Sequence, residues 1–207
     1  MAGFLGNLRN VVIAGFVLAL LLFVLWISNV GFDQNQALGF GLRWLHVVCG
    51  VMWIGLLWYF NFVSTPTTPK IPAELRPALG KFITPAALFW FRWAAMATFI
   101  LGICLAASNG YLLQMATLDA VDQSGAFTTP AFVNIGVGAW LGTIMWFNVW
   151  FLIWPNQQRA LNINNRYPDL PQAAKDASAK TAGMASRINT MLSIPMLFAM
   201  VATSHLY

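Results

Sequence analysis

Five long apolar runs constrain this chain before anything else. A bilayer core of about 30 Å is crossed by roughly 20 residues of helix. Runs of that length lie at about 9–28, 41–63, 84–108, 131–154 and 188–207. Backbone polar groups inside lipid must be satisfied within the segment, so such runs read as helices. Composition agrees: 59% of the 207 residues are hydrophobic and 8% are charged, against about 25% charged in soluble domains. The expected fold is an all-α integral membrane protein with five transmembrane helices, in a single membrane domain over 1–207. Its first partner is then the lipid bilayer. The net charge of +5 marks loops on one side rather than a nucleic-acid surface.

The first run follows Arg9, as a signal peptide would follow a basic residue, but no small-x-small cleavage site comes after "LWISNVGF". It is expected to be retained as a span. Arg9, Lys70, Arg76 and Lys81 share one side with Arg159, Arg166, Lys175, Lys180 and Arg187, whereas Asp33, Asp119 and Asp122 fall on the other. This asymmetry predicts a cytoplasmic N-terminus and a periplasmic C-terminus. The loop 155–187 then lies on the cytoplasmic side. Its "QAAKDASAKTAGMASR" reads as a short surface helix, with a connector, a docking surface or a lid as its alternative roles.

All six acids fall in loops, which leaves Arg43, His46, Asn61, Arg92, Asn148, Ser193 and His205 as the polar residues of interest within the spans. An ionisable residue there points to function. His46 and His205 fall at similar depth in the outer half of the bilayer. Two imidazoles at one level suit axial ligation of haem b, or each hydrogen-bonds near the interface. Arg43, His46, Gly50, Trp53 and Leu57 share one helix face. Gly50 leaves room for a flat ring or a close helix, and Arg43 either pairs with a haem propionate or reaches lipid headgroups. Gly138 and Gly142 have the spacing of a close helix contact. Cys49 and Cys104 sit in apolar runs as small buried residues, and no CxxCH offers c-type haem attachment.

Arg92 stands in "ALFWFRWAAM" with no carboxylate in any span to neutralise it. Eight residues from the start of its run, it lies roughly 12 Å deep in the inner half. It either reaches inner-leaflet phosphates, joins Asn61 and Asn148 in a polar cluster, or binds an anion from the cytoplasm. Phe89, Trp90, Phe91 and Trp93 are its expected cation–π neighbours.

Four phrases in order, "RWLHVVCGVMWIGLLWYFNFV", "FWFRWAA", "MWFNVWFLIWPNQ" and "ASRINTMLSIPMLFAMVATSH", resemble the membrane domain of the bacterial cytochrome c-linked urate oxidases. The resemblance runs through the second to fifth spans. It implies a multi-pass protein of the bacterial inner membrane in which urate is oxidised and electrons leave through a cytochrome c. This sequence resembles a short form, without the family's later helices and fused C-terminal cytochrome, so a separate periplasmic cytochrome c is the expected acceptor.

Three functions follow from these residues. The first is a redox protein in which His46 and His205 ligate haem b, Arg43 meets a propionate, and Arg92, Asn61 and Asn148 bind a urate-like anion; a quinol is the other candidate donor. The second is a non-catalytic accessory or structural subunit of a larger membrane complex, or a homo-oligomer. The third, a transporter or channel, is disfavoured by the lack of intramembrane acids and of a visible repeat.

Overall fold

The computed structural model describes residues 2–118 and 130–206, so Asp119 and Asp122 of the charge argument lie outside the described residues. Among the described residues the structure is helical, with no strand. Seven helices are named in chain order: α1 (Leu8–Val30), α2 (Gln34–Trp58), α3 (Thr84–Ser108), α4 (Leu112–Thr117), α5 (Pro130–Phe147), α6 (Trp154–Ala160) and α7 (Gln172–His205). Five helical stretches are long and apolar enough to cross a membrane: Leu8–Asn29, Gln34–Lys70, Arg76–Ser108, Pro130–Ala160 and Gln172–His205. Internal contacts divide the chain into two compact units, Met1–Phe40 and Gly41–Tyr207.

In the first unit, Asn7 caps α1 by accepting a hydrogen bond from the Arg9 backbone N–H at 3.0 Å. Asp33 caps α2, accepting from the N–H groups of Asn35 and Gln36 at 2.8 and 3.0 Å. Both satisfy donors that the first helical turn leaves unbonded. Phe23, Trp26 and Phe40 stack mutually, with centroids 5.7–5.8 Å apart.

Three spans of the second unit are longer than the apolar runs predict, and proline chemistry explains how. Each widens into a π-helical turn just before a proline: Tyr59–Ser64 before Pro66, Leu79–Ile83 before Pro85, and Asn148–Ile153 before Pro155. A proline has no N–H, and its ring collides with the carbonyl four residues back. Those carbonyls, on Phe62, Lys81 and Phe151, all fall inside the widened turns. The wider turn makes room for the ring, so the helix continues past Pro66 and Pro155 into polar sequence and, at Pro85, enters α3 from the polar side.

The fifth span departs furthest from expectation. Instead of a surface helix followed by a separate span at 188–207, α7 runs unbroken from Gln172 to His205. The reason is one continuous buried face: Ser178, Ala182, Ala185, Asn189, Ser193, Met196, Ala199 and Ala202. Almost all are small, which lets α7 lie close along α5. The core between the helices is formed by Trp53 and Leu57 of α2, Phe91 and Ala95 of α3, and Met145 and Val149 on the α5 side.

Glycines sharpen the packing. A Cβ on Gly138 would stand 3.2 Å from the Ala199 Cβ, whereas one on Gly142 would meet nothing within 4 Å. The expected Gly138/Gly142 pair is therefore a single contact. Gly136 is the tighter position: its Cβ would lie 2.5 Å from the Met115 carbonyl oxygen, so α4 rests directly on the α5 backbone.

Candidate functional site

Along the α2 face read from spacing, Arg43 is exposed and His46 and Gly50 are half-buried. Trp53 and Leu57 are buried in the core. Gly50 would direct a Cβ at Thr98 Cγ2, 3.8 Å away, so the space it leaves is filled by α3. His46 lies on the same seam, with Nδ1 2.9 Å from the Thr98 carbonyl oxygen. That oxygen can only accept, so Nδ1 carries the proton and Nε2 the lone pair. Gly102 accommodates the imidazole, since a Cβ there would fall 3.0 Å from His46 Cε1. His205 is exposed, and its Nδ1 donates to the Val201 carbonyl of its own helix at 2.9 Å. Both histidines thus present Nε2, the donor chemistry of an axial haem ligand held through its other nitrogen. They are held by different elements, His46 by α3 and His205 by α7. Among the described residues no group of three His, Cys, Asp or Glu could hold a metal ion. Tyr111, between α3 and α4, stacks on Phe132; burial pushes its phenol up, and the charge of Arg43 pulls it down. Cys104 is exposed rather than buried, and Cys49 is intermediate.

The expected cluster of Arg92, Asn61 and Asn148 is not how these side chains bond. Asn61 Nδ2 donates to Ser186 Oγ at 2.8 Å and to the Leu57 carbonyl at 2.9 Å. Asn148 Nδ2 donates to Asn189 Oδ1 at 2.8 Å, and Asn189 Nδ2 donates to the Met145 carbonyl at 2.9 Å. Ser193 accepts from Trp58 Nε1 at 3.0 Å and donates to the Thr190 carbonyl. All three networks reach α7, because its small-residue face is where polar side chains fit without holding the helices apart.

Arg92 instead lies among indoles. Its guanidinium carbon is 3.7 Å from the Trp154 ring centroid, 5.3 Å from Trp150 and 5.8 Å from Trp93. Of the four sequence neighbours expected to flank the charge, only Trp93 is among these rings; the two nearer ones come from the far end of the fourth span. Ring faces are worth about 0.5–2 kcal/mol each to a cation, but they do not replace hydrogen bonds. Arg92 Nε and Nη1 are buried without a hydrogen-bond partner, as is the indole N–H of Trp150.

Two clefts open where the π turns gather, at the end of the bundle carrying most of the basic residues. One, of about 170 Å³, is lined by Asn61, Ser64, Thr65, Thr84, Gln157, Ser186 and Arg187 over an apolar floor that includes Phe60, Phe91 and Ile153. Phe60 and Phe91 meet edge to face there, 5.9 Å between centroids. The other, of about 230 Å³, adjoins it through Phe60, Ser64 and Thr84 and reaches Tyr59 and Arg76. Arg76 is held by the Pro69 and Ile71 carbonyls, each 2.8 Å away. Of the three expected anion-binding residues, only Asn61 lines a cleft; Arg92 and Asn148 line neither. Gln157 and Arg187 look like ordinary loop residues in the sequence, and only the meeting of α6 and α7 makes them cleft residues. Each cleft is smaller than the about 300–1,000 Å³ of typical ligand pockets, which limits the occupant to a small molecule.

The family described as urate oxidase N-terminal matches residues 123–206. The matched stretch contains α5, α6 and α7, and with them Gln157, Ser186 and Arg187. The phrases around His46 and Arg92 lie outside it. No curated protein and no solved structure matches the chain. Over residues 123–206 the chain is similar to the urate oxidase N-terminal family.

Proposed function

We propose that this chain is a membrane redox protein that takes a planar, urate-like weak acid into the Asn61–Arg187 cleft and passes its electrons to a periplasmic cytochrome c. The observation that carries the reading is the make-up of that cleft. An aromatic and apolar floor suits a flat ring, amide and hydroxyl groups suit its ring edges, and Arg187 suits its negative charge. Asn61 spends its Nδ2 on protein partners, which leaves Oδ1 for a ligand N–H. The family match supports the choice of substrate class, because three of the polar lining residues fall within it. Hydroxylation of such a substrate by water releases two electrons and two protons. Two one-electron cytochromes take up the electrons, and the protons leave to water at the cleft mouth.

Haem b is the proposed cofactor, with His46 and His205 as iron ligands through Nε2 and Arg43 beside a propionate. It would supply a one-electron relay across the membrane. The Thr98 carbonyl keeps the His46 proton on Nδ1, and the missing Cβ of Gly102 leaves room for the ring against α3. The proposed setting is the bacterial inner membrane.

Urate titrated calorimetrically into the purified chain tests the cleft. Arg187→Gln is expected to weaken binding about ten- to hundredfold, the 1.5–3 kcal/mol of a hydrogen bond to a charge; unchanged affinity removes the cleft from the proposal. A dithionite-reduced spectrum tests the cofactor independently, with a near-stoichiometric b-type band expected and lost in His46→Ala. The alternative, a non-catalytic subunit of a larger membrane complex, is favoured by the exposed aromatic face of α3, with Phe89, Trp90 and Trp93 about half exposed. It predicts a native mass that includes other chains, and no urate binding.

A further inference from the structure

Arg92 lies outside both clefts, and its surroundings define a site of a different kind. Arg92 Nε, Arg92 Nη1 and Trp150 Nε1 are buried without acceptors. All three are N–H donors and none can accept. The guanidinium carbon lies within 6 Å of three indole centroids, that of Trp150 among them. Arg92 has no carboxylate partner among the described residues: Asp33, Glu74, Asp169 and Asp176 lie outside α3, α5 and α6. A cluster of donors around a fixed cation calls for an acceptor that carries negative charge.

The direction from which such an acceptor arrives follows from exposure. Trp93 packs edge-on to Trp150 at 5.4 Å yet remains 47% exposed. Phe147 and Phe151 of the fourth span, stacked on each other, are similarly exposed. The seam between α3 and the fourth span is therefore an outward aromatic surface, not a wall of the polar clefts. Trp154, the ring nearest the guanidinium, immediately precedes Pro155 and the polar "NQQR" that follows. An arginine extended towards an apolar-to-polar boundary, among tryptophans, matches the chemistry of the membrane interface.

We propose that Arg92, with Trp93, Trp150 and Trp154, binds a phosphate anion at this interface, supplied by an anionic phospholipid headgroup. The guanidinium fork meets the phosphate oxygens, the Trp150 N–H adds a donor, and the indole faces line the acyl-chain side. The site is separate from the proposed substrate cleft and rests only on the chain spanning a bilayer.

Native mass spectrometry of the full chain released from nanodiscs of equal phosphatidylcholine and phosphatidylglycerol tests it. Wild type is expected to retain phosphatidylglycerol preferentially, and Arg92→Gln to retain the two lipids equally. Arg92→Lys, which keeps the charge but not the fork, is expected to show a reduced preference. Equal retention by wild type overturns the proposal, even if the glutamine variant fails to fold. So does an undiminished preference in a folded Arg92→Gln. Inorganic phosphate added to pure phosphatidylcholine nanodiscs distinguishes the source of the anion. An Arg92-dependent change in tryptophan fluorescence with phosphate, without phosphatidylglycerol retention, overturns the lipid assignment in favour of a soluble anion. Alkaline carbonate extraction addresses the spanning reading on its own. A chain released by carbonate defeats that reading, whereas a chain that stays in the membrane without lipid preference defeats only this proposal.

Discussion

Two seams of one bundle treat polar side chains in opposite ways. Where α7 meets its neighbours, Asn148 bonds to Asn189, Asn61 to Ser186 and Trp58 to Ser193. Along the seam of α3 with the fourth span, Arg92, Trp146 and Trp150 carry buried N–H groups without acceptors. The rings are well packed there: Trp146 lies flat on Phe99 at 4.3 Å, and Trp150 meets Trp93 edge-on. The difference lies in side-chain size. Small residues on α7 bring the backbones close enough for short polar side chains to bridge. Large aromatics fill the other seam with carbon and leave their N–H groups facing no protein acceptor. The first arrangement secures the fold, and the second is the natural place for something outside the chain to bind.

The largest expected effect falls on the satisfied seam. Asn189→Leu strands the Asn148 amide inside a fully buried contact and should cost about 1–3 kcal/mol, read as a lower Tm in detergent. An unchanged Tm would show that the pair contributes nothing. Trp58→Phe is the intermediate case. It removes one interhelical hydrogen bond, worth about 0.6 kcal/mol on average in membrane proteins, and leaves Ser193 bonded to the Thr190 carbonyl. Trp146→Phe should have the smallest effect, because the N–H it removes has no partner and the stacked six-membered ring remains. Its Tm should match wild type or rise slightly. A loss as large as that of Trp58→Phe would show that Trp146 has an acceptor, and the comparison would fail.

The residues themselves explain what was legible beforehand. The shared α2 face of Arg43, His46, Gly50, Trp53 and Leu57 could be read because helical periodicity is a property of one segment, but its burial, complete at Trp53 and Leu57 and absent at Arg43, could not. Asn61 could be singled out because an amide near the end of an apolar run is rare. Its partner could not, since Ser186 is 125 positions away and only packing brings the two together. Arg187 and Gln157 carried no signal for the same reason. The π turns could have been suspected from Pro66 and Pro155 just after apolar runs and Pro85 at the start of one, but proline more often ends a helix than widens one.

The sequence by itself determined the helical class, the number of apolar spans and the one-sided distribution of basic residues. Each follows from local composition against a bilayer of fixed thickness. Only the tertiary structure decided how the polar residues pair. It joined Asn148 to Asn189, set His46 against α3, and gave Arg92 three indoles in place of a carboxylate. Those choices depend on which side chains are small enough to let helices meet, and that is a property of two surfaces together.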